Sequence, residues 1–548
     1  MPRKETAAGA RQRRFAAYLE SLARAAHHAD RSEPLKNYCR GLLLPLQRKS
    51  VEPMAARLAP ENVRRTHQSL HHLVADSPWE DAALLGAVRR RVLPAMKKNS
   101  PLSAWIIDDT GFPKKGKHSV GVARQYCGQL GKQENCQVAV SLSLSNGQTS
   151  LPIAYRLYLP ESWARDTARR RKAGVPADIR FQTKPQIALD QIRQALDDKV
   201  DPGVVLADAA YGNDSGFREE VEQMGLEYVV GIQSSTTVWK RGQGPLRSSK
   251  YSGVGRPPKL LRRSVENQPV TVKQLALELP RSAFRSLSWR PGTKRPLRSR
   301  FAAVRIRAAR RDYERHEPRP EQWLLIEWPA KEAQPTKYWL ANLPEETKRK
   351  DLVTSAKQRW IIERDYQELK QEVGLGHYEG RGWRGFHHHA TLSIAAYGFL
   401  VAERALFFLG QGRDVATIHA PSAARVPPAR GARFDPSGIT RSRSPRCELN
   451  SPTTFFTNST AALFAAPDSY NTVVLGSAQI AAVGCVDLDQ FAFFDKLRHG
   501  HDESGFSLRR LVDIRHRGAL DRRFGLNDLQ RHRRGQVQVK GHIIQELN

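Results

Sequence analysis

The sequence predicts an α/β fold: a mixed sheet core, a helical segment before it, a β-rich insertion within it and an irregular tail after it. Apolar residues recur every three or four positions through residues 12–97, which is typical of amphipathic helices. From residue 103 onward, short apolar strands alternate with amphipathic helices, the pattern of an α/β core. Strand-like runs between residues 235 and 350 interrupt this pattern before helices return.

Residues 1–100 are predicted to form a helical domain. Within it, residues 51–74 suggest two short helices with a break around Pro60, which suits the first turn of the second helix. Arg64 and Arg65 lie on that second helix, so the pair resembles a helix-turn-helix that binds DNA. An ordinary helical hairpin with a solvated basic face is the alternative interpretation.

Residues 101–234 are predicted to be the first part of the sheet core. The runs AWIIDDT, QVAVSLSLS and LPIAYRLYLP have the composition of strands, and KPQIALDQIRQAL has the periodicity of an amphipathic helix. The run DPGVVLADAAYG predicts another buried strand, and EEVEQMGLEYVVGI predicts a helix, a turn and a strand. This order predicts an α/β core whose early strands are antiparallel.

The core is interrupted over residues 235–350, where a basic, proline- and glycine-rich loop precedes the strand-like runs FAAVRIRAA, QWLLIEW and KYWLANL. Helical periodicity returns over residues 351–409, which we assign to the second part of the core. Residues 410–548 lose all usable periodicity and predict an irregular basic tail. One hypothesis is that the tail is a frameshifted or read-through extension, which an alignment of the coding DNA with related elements would test.

The charge of the chain points to a polyanionic partner. The 88 Lys and Arg residues exceed the 55 Asp and Glu residues, which gives a formal net charge of +33. Nucleic acid is the commonest partner of so basic a protein. Five widely spaced cysteines without a CxxC pair argue against a zinc ribbon and suit a reducing compartment. With no secretory signal and no long apolar run recognised, we expect a bacterial cytosolic protein without membrane association.

Two predicted strands end in carboxylates. Asp108 and Asp109 follow Trp105-Ile106-Ile107, and Asp208 follows Val204-Val205-Leu206-Ala207. Chemistry in α/β proteins is found at such strand ends. Carboxylates buried there need a cation, and hard divalent ions prefer oxygen ligands.

A third carboxylate follows from helical spacing in RWIIERDYQELK. At about 100° per residue, Arg359, Glu363, Tyr366 and Lys370 share one face, whereas Glu368 and Glu372 point away. An acid between two cations suits a metal ligand flanked by phosphate-binding groups. A helix with surface ion pairs is the alternative.

These residues belong to three ordered blocks: IIDDTGFPKKG, LADAAYG and RWIIERDYQELKQEVGLGHYEGRGWRG. The blocks resemble those of the DDE transposases of the IS4-like group, with the best match to the IS701 family of insertion-sequence transposases. The resemblance covers roughly residues 35–405, with a β-rich insertion between the second Asp and the Glu.

The resemblance implies an RNase H-like core in which Asp108, Asp208 and Glu363 bind two Mg²⁺ ions, with Mn²⁺ as a substitute. Related families carry an Asp, any residue and then Thr, which selects Asp108, but Asp109 remains a rival. The group also has a Tyr-Arg-Glu-Lys signature, which Arg359, Glu363 and Lys370 match. Its Tyr position falls on Ala356, and Tyr366 is the candidate to replace it.

DNA is the expected partner, as terminal inverted repeats and as target, and synapsis of two ends implies a homodimer. The basic loop after the first Asp, with Lys114, Lys115 and Lys117, is a candidate phosphate clamp, and a solvated hairpin is its alternative. Arg359, Lys370, Arg64 and Arg65 are the other candidate DNA contacts. Two alternative functions remain: a metal-dependent nuclease on the same core, and a decayed or domesticated DNA-binding protein.

Overall fold

A computed structural model describes residues 6–248, 259–292 and 295–410 of the chain. The mixed α/β class predicted from the sequence is confirmed, because a large mixed sheet is flanked by helices. Apart from Gly410, the predicted irregular tail over residues 410–548 lies outside the described residues.

The chain opens with a group of helices that packs around apolar side chains such as Leu22, Leu35 and Leu73. These helices are α1 (Ala7–Ala25), α2 (Ala29–Leu43), α3 (Val51–Leu58), α4 (Val63–Ala75) and α5 (Asp81–Asn99).

The expected break between α3 and α4 is present, but the prediction for Pro60 was wrong. Pro60 lies in the turn between the helices, which the hydrogen bond from the Asn62 amide to the Ala59 carbonyl closes at 3.0 Å. Helix α4 therefore begins only at Val63, because the turn uses the fixed backbone torsion of proline before the helix starts.

Within the described residues, twelve strands form one sheet with both parallel and antiparallel pairs. The strands are β1 (Ala104–Pro113), β2 (Ala123–Cys127), β3 (Lys132–Ser145), β4 (Ser150–Leu157), β5 (Val204–Ala207), β6 (Tyr228–Ile232), β7 (Thr237–Lys240), β8 (Val270–Thr271), β9 (Arg285–Arg290), β10 (Leu297–Ala308), β11 (Gln322–Glu327) and β12 (Lys337–Ala341). Their order is β2-β3-β1-β5-β6-β12-β11-β10-β7-β8, with β4 paired to β3 and β9 paired to β10.

The early strands are antiparallel, as the sequence predicts, and the sheet then changes to parallel pairing. Strand β3 pairs with β1, β2 and β4 in antiparallel register, whereas β1 with β5 and β5 with β6 are parallel pairs. Strands β7 to β12, from the β-rich stretch, continue the same sheet through the antiparallel pair of β12 with β6.

Helices cover the sheet and complete the described chain. They are α6 (Glu161–Ala164), α7 (Thr167–Lys172), α8 (Lys184–Asp197), α9 (Ala209–Gly212), α10 (Ser215–Gln223), α11 (Val272–Glu278), α12 (Arg349–Gln358), α13 (Trp360–Gln367) and α14 (Trp383–Gly410). A π-helical turn, Glu368–Glu372, follows α13 directly.

The two faces of strand β1 pack against different helices. Trp105 and Ile107 join the hydrophobic cluster that contains Ile187 of α8, whereas Ile106 joins the cluster that contains Ile361 and Ile362 of α13. Because side chains alternate along a strand, every second residue of β1 faces α8 and the others face α13. This division decides which carboxylate of β1, Asp108 or Asp109, faces the helix that carries Glu363.

One described helix is long and apolar enough by composition for a membrane span, which the search of the sequence for a long apolar run did not detect. Trp383–Phe407 of α14 meets the criteria of length and composition, but most of it is buried inside the protein. It packs against α5 and β4, and both ring nitrogens of its His388 lie about 3 Å from backbone carbonyls, to one of which the neutral ring donates. A helix that is apolar all round and enclosed by protein is typical of a core helix.

Candidate active site

Asp108 lies in the middle of β1, on the face that α13 covers, because the strand continues to Pro113 and does not end at the aspartates as the sequence predicts. Ile106 of β1 pairs with Leu206 of β5 in parallel register, and Asp108 and Asp208 each lie two residues farther along. Parallel strands in register bring equivalent residues to the same edge and the same face of a sheet. The two aspartates therefore converge.

Arg359 joins Asp108 to Glu363. It lies between α12 and α13, and its Nη1 donates to Oδ2 of Asp108 at 2.8 Å. Its Nη2 donates to Oε1 of Glu363 at 3.3 Å, one helical turn farther on. A single guanidinium thus draws a strand carboxylate and a helix carboxylate together.

The charged groups at this point shift one another's pKa values. Burial is the main cause that raises the pKa of Asp108 to about 7; the Arg359 cation opposes the shift, and the negative charges of Asp208 and Asp109 add to it. Burial lowers the pKa of Arg359, but the charges of Asp108, Glu363 and Asp208 outweigh this and raise it above its ordinary value. Arg359 is therefore a permanent cation among three carboxylates.

Asp208 is held at the start of a short helix. It is half-buried, and its Oδ1 accepts a hydrogen bond from the Ala210 amide at 2.9 Å, so it acts as the N-cap of α9. The cap orients the carboxylate at the edge of the sheet beside Asp108.

Asp109, the rival first carboxylate, lies on the opposite face of β1. Its Oδ2 forms an ion pair with Nζ of Lys184, the first residue of α8. Because α8 covers the other face of the sheet, Asp109 is engaged away from Glu363. The geometry favours Asp108.

Several acidic residues lie on α13 and on the π-helical turn that follows it. Of these, Glu363 is both exposed and in contact with Arg359, the partner of Asp108. Its side chain is 55% exposed and contacts Arg359. Asp365 is fully buried, where it accepts hydrogen bonds from Ser150 and Tyr397. Glu368 is paired with Arg404 of α14 at 2.7 Å, on the side away from Asp108.

Tyr366 does not replace the missing tyrosine of the family signature. It is only 8% exposed, and its hydroxyl lies 2.7 Å from the Ser141 hydroxyl of β3. The shared hydrogen bond anchors α13 to the sheet and leaves the phenol covered. Ala356, at the signature's tyrosine position, is buried as well.

Lys370 reaches the end of β1 from the π-helical turn rather than from a continuous α-helix. The extra residue in such a turn changes the direction of the side chains that follow it. Nζ of Lys370 donates to the Gly111 carbonyl at 2.7 Å and lies 4.7 Å from the centre of the Phe112 ring. Burial lowers the pKa of Lys370 to about 8.

The basic loop after β1 contains one lysine that is hydrogen-bonded to the rest of the protein and two lysines that are exposed. Lys114 donates to the Tyr378 carbonyl at 2.9 Å, and burial lowers its pKa. Lys115 and Lys117 are exposed. The loop follows the last residue of β1, so these two lysines are exposed beyond the end of the strand that carries Asp108.

Arg64 and Arg65 lie elsewhere, exposed near the start of α4. No contact in the described part of the chain joins them to the carboxylates.

Sequence reasoning predicted one of the two cations that organise the site and missed the other. Lys184 shows only as a residue of an ordinary helix start, after the Thr183 capping box, and carries no signal of its pairing with Asp109. Arg359 was expected to bind phosphate, and its position between Asp108 and Glu363 depends on contacts across 251 residues of sequence.

The three carboxylates around Arg359 are chemically suited to a hard divalent cation, because such ions prefer oxygen ligands. The described residues nevertheless contain no group of three or more acidic, histidine or cysteine side chains close enough to hold a metal ion as they stand. The Arg359 guanidinium supplies the positive charge between them instead.

Comparison with known proteins agrees with this arrangement. Residues 18–296, about half of the chain, match the family described as "DDE superfamily endonuclease", and this range contains Asp108 and Asp208. The chain is also 32% identical over 196 residues to "Probable transposase for insertion sequence element IS701" from Microchaete diplosiphon. That similarity covers 36% of this chain and 47% of the relative, so the chain spans about half the length of the curated relative that it matches. The chain belongs to the DDE superfamily endonucleases.

Proposed function

We propose that the protein is the transposase of an insertion sequence of the IS701 family, which cleaves DNA at terminal inverted repeats and joins the freed ends to target DNA. The observation that carries the proposal is the convergence of Asp108, Asp208 and Glu363 around Arg359 at one edge of the sheet. Similarity to an IS701 transposase supports the choice of reaction.

The fold supports a division into core and insertion. We assign β3, β1, β5 and β6 with α8, α12 and α13 to an RNase H-like core, because antiparallel strands lead into two parallel pairs. Strands β7 to β12 are the insertion between Asp208 and Glu363. The corresponding domains are a DNA-binding helical domain (1–100), two core segments (101–234 and 351–409) and the insertion (235–350).

Family membership implies dependence on divalent metal ions, and we propose Mg²⁺, with Mn²⁺ as a substitute. Asp108, Asp208 and Glu363 are the residues that would hold two ions, while Asp109 is committed to Lys184. Such ions lower the pKa of an attacking water and stabilise the leaving oxygen in phosphoryl transfer.

The residues of the chain supply position and charge for two successive attacks. Water attacks the phosphodiester at the end of the element and releases a 3′-hydroxyl, which then attacks a phosphodiester of the target DNA. Arg359 and Lys370 are cations at the sheet edge that would bind the phosphate oxygens of the scissile strand. Lys114 anchors the loop from which Lys115 and Lys117 would contact the flanking backbone.

Arg64 and Arg65 would contact the terminal repeat from α4. Because two ends must be brought together, the active form on DNA is proposed to be a homodimer, acting in the bacterial cytosol.

A metal-dependent nuclease is the second candidate, since the matching family is described by endonuclease activity. The nuclease would cut without joining. The two functions separate in an assay that follows cleavage and strand transfer on the same labelled DNA.

The experiment that tests the proposal uses the repeats that flank the gene, with Mg²⁺, and compares the wild type with Glu363→Gln. We expect the variant to lose cleavage and joining by at least about a hundredfold, because a carboxylate of the metal site is removed. The matched control is Glu372→Gln, because Glu372 is an exposed acid in the π-helical turn of the same segment. This control is expected to keep activity. Equal activity of Glu363→Gln and the wild type contradicts the proposed site.

A further inference from the structure

A cleft of about 520 Å³ lies between α1 and α5, beside the end of α8 and apart from the carboxylates. Small residues and arginines share its lining. The small residues include Ala25, Ala82, Ala83, Gly86 and Ala87. The basic residues are Arg24, His27, Arg89, Arg90 and Arg91, and the acid that lines the cleft is Asp198.

Three of the four arginines carry unbalanced charge. Arg89 is paired with Asp198 at 2.5 Å, which neutralises both. Arg24, Arg90 and Arg91 make no side-chain ion pair or hydrogen bond within the described parts of the chain, and all three are exposed. Glu20, one turn before Arg24, is already paired with Lys36.

Adjacent unpaired guanidinium groups repel each other, so their grouping at one cleft has an electrostatic cost that an anion removes. The small side chains allow such a ligand to approach the helices closely. Gly86 contributes to this, because a Cβ there would lie 3.3 Å from Nη1 of Arg90. His27 lines the same cleft from a left-handed backbone conformation, with φ of 56°. Strain of that kind in a residue other than glycine is found most often at functional sites.

Helix α8 separates the cleft from the catalytic edge. The first residue of α8, Lys184, forms an ion pair with Asp109 of β1. Asp198, which follows the last residue of α8, lines the cleft. Fourteen residues at about 1.5 Å each give a separation of about 20 Å. The cleft is therefore distinct from the site of cleavage.

We infer that this arginine cleft binds the phosphodiester backbone of duplex DNA, as a second contact remote from the cleavage point. The inference rests on the proposed function in taking DNA as the polyanion. Guanidinium groups match phosphate oxygens with two parallel hydrogen bonds, and the net charge of +33 favours nucleic acid over an acidic protein. A span of about 20 Å corresponds to about six base pairs at about 3.4 Å each, which is short compared with a duplex of a few helical turns.

The test uses the full-length protein and a random-sequence duplex of about 40 base pairs, because phosphate contacts do not depend on sequence. Dissociation constants are measured between 50 and 200 mM salt for the wild type and for Arg24→Ser/Arg90→Ser/Arg91→Ser. Arg89 stays in place because it ties α5 to the end of α8. A matched control removes three exposed lysines: Lys331→Ser/Lys337→Ser/Lys350→Ser.

We expect the cleft variant to bind at least about tenfold more weakly, and its slope of log affinity against log salt to fall by about 2 to 3. The triple Arg→Lys variant keeps that slope, and the lysine control changes affinity less than about twofold. Unchanged affinity and slope in the cleft variant overturn the inference, as does an equal loss in the control.

A wild-type measurement keeps the inference testable if the serine variant does not fold. Bound DNA is expected to protect Arg24, Arg90 and Arg91 from an arginine-selective reagent such as phenylglyoxal. Lack of protection overturns the inference, and protection by RNA but not by DNA overturns the choice of partner. A wild type that binds DNA through the cleft but never cuts the repeats contradicts the proposed function alone.

Discussion

The burial of Asp108 and its pairing with Arg359 determine how substitutions at this site affect stability. Its side chain is 12% exposed and its main counter-ion is Arg359. Taking a carboxylate out of water is costly, and the cost is met only while the partner stays in place. Removing Arg359 alone therefore leaves the largely buried Asp108 without its main counter-ion.

The first prediction follows from that pairing. Arg359→Gln leaves a buried carboxylate without its cation, and we expect a loss of about 3 kcal/mol in the free energy of unfolding in urea. Adding Asp108→Asn to the same chain removes the buried charge and restores part of the loss. An Arg359→Gln protein that unfolds at the wild-type urea concentration contradicts the structural role of the pair.

Asp81 gives a prediction about pH. It is the first residue of α5, its carboxylate accepts from Thr391 of α14 at 2.6 Å, and His388 lies 3.9 Å away. Burial raises the pKa of Asp81 to about 7. Between the unfolded pKa near 4 and pH 7 the folded state binds more protons, so this residue lowers stability as pH rises.

Asp81→Asn removes that contribution. Relative to the wild type, the variant is expected to gain stability steadily from pH 4 to pH 7 in chemical unfolding experiments. The same comparison is made in a His388→Gln background, because burial lowers the pKa of this neighbour to about 4 and its titration depends on the charge of Asp81. A difference in stability that is flat with pH shows that Asp81 is ionised as easily in the folded protein as in the unfolded one.

At the scale of elements, helix α13 is positioned by side chains that do not touch the reacting groups. Tyr366 bonds to Ser141 of β3, and Asp365 bonds to Ser150 of β4 and Tyr397 of α14. These bonds hold the helix against the sheet, and Glu363 projects from its outer side.

Tyr366→Phe separates this positioning role from a role in binding phosphate. The variant loses one hydrogen bond, for which we expect about 1 kcal/mol of stability. DNA cleavage is expected to stay within about twofold of the wild type, because the phenol is covered. A large loss of DNA affinity with unchanged stability contradicts this assignment and restores Tyr366 as the signature tyrosine.

The short helix that Asp208 caps depends on one glycine. A Cβ at Gly212 would lie 1.9 Å from the carbonyl oxygen of Gly231 in β6, so a larger residue must displace α9. Displacing α9 moves its N-cap, Asp208, away from Asp108.

We therefore expect Gly212→Ala to reduce cleavage by about a hundredfold, since misplacement of a catalytic group by about 1 Å has that effect. The control is Gly128→Ala, where a Cβ meets no atom within 4 Å and which keeps activity. Full activity of Gly212→Ala contradicts the dependence of the Asp208 position on this close approach.

For the whole molecule, metal binding is linked to global stability. A ligand that binds the folded state alone raises the free energy of unfolding by about 2.7 kcal/mol at a hundredfold excess over its dissociation constant. We expect Mg²⁺ to raise the melting temperature of the wild type and to have little effect on Asp108→Asn/Glu363→Gln. An equal increase in both proteins places the metal elsewhere in the chain.

The sequence by itself determined the type of most elements. The apolar runs before Asp108 and before Asp208 and the amphipathic helix that carries Glu363 are local patterns. Such patterns reflect the alternation of side chains along strands and the periodicity of helices. The mixed α/β class and the family resemblance followed from them. Pro60 and Lys370 departed from these patterns, because a turn and a π-helical segment changed the local backbone.

Only the tertiary structure decided which of two adjacent carboxylates meets Glu363. Asp108 and Asp109 are chemically equivalent in the sequence, and strand alternation sends them to opposite faces without saying which face is which. The packing of α13 on one side and of α8, with Lys184, on the other assigns them. The Arg359 contacts and the arginine cleft were likewise beyond the sequence, because they join residues that the chain brings together only on folding.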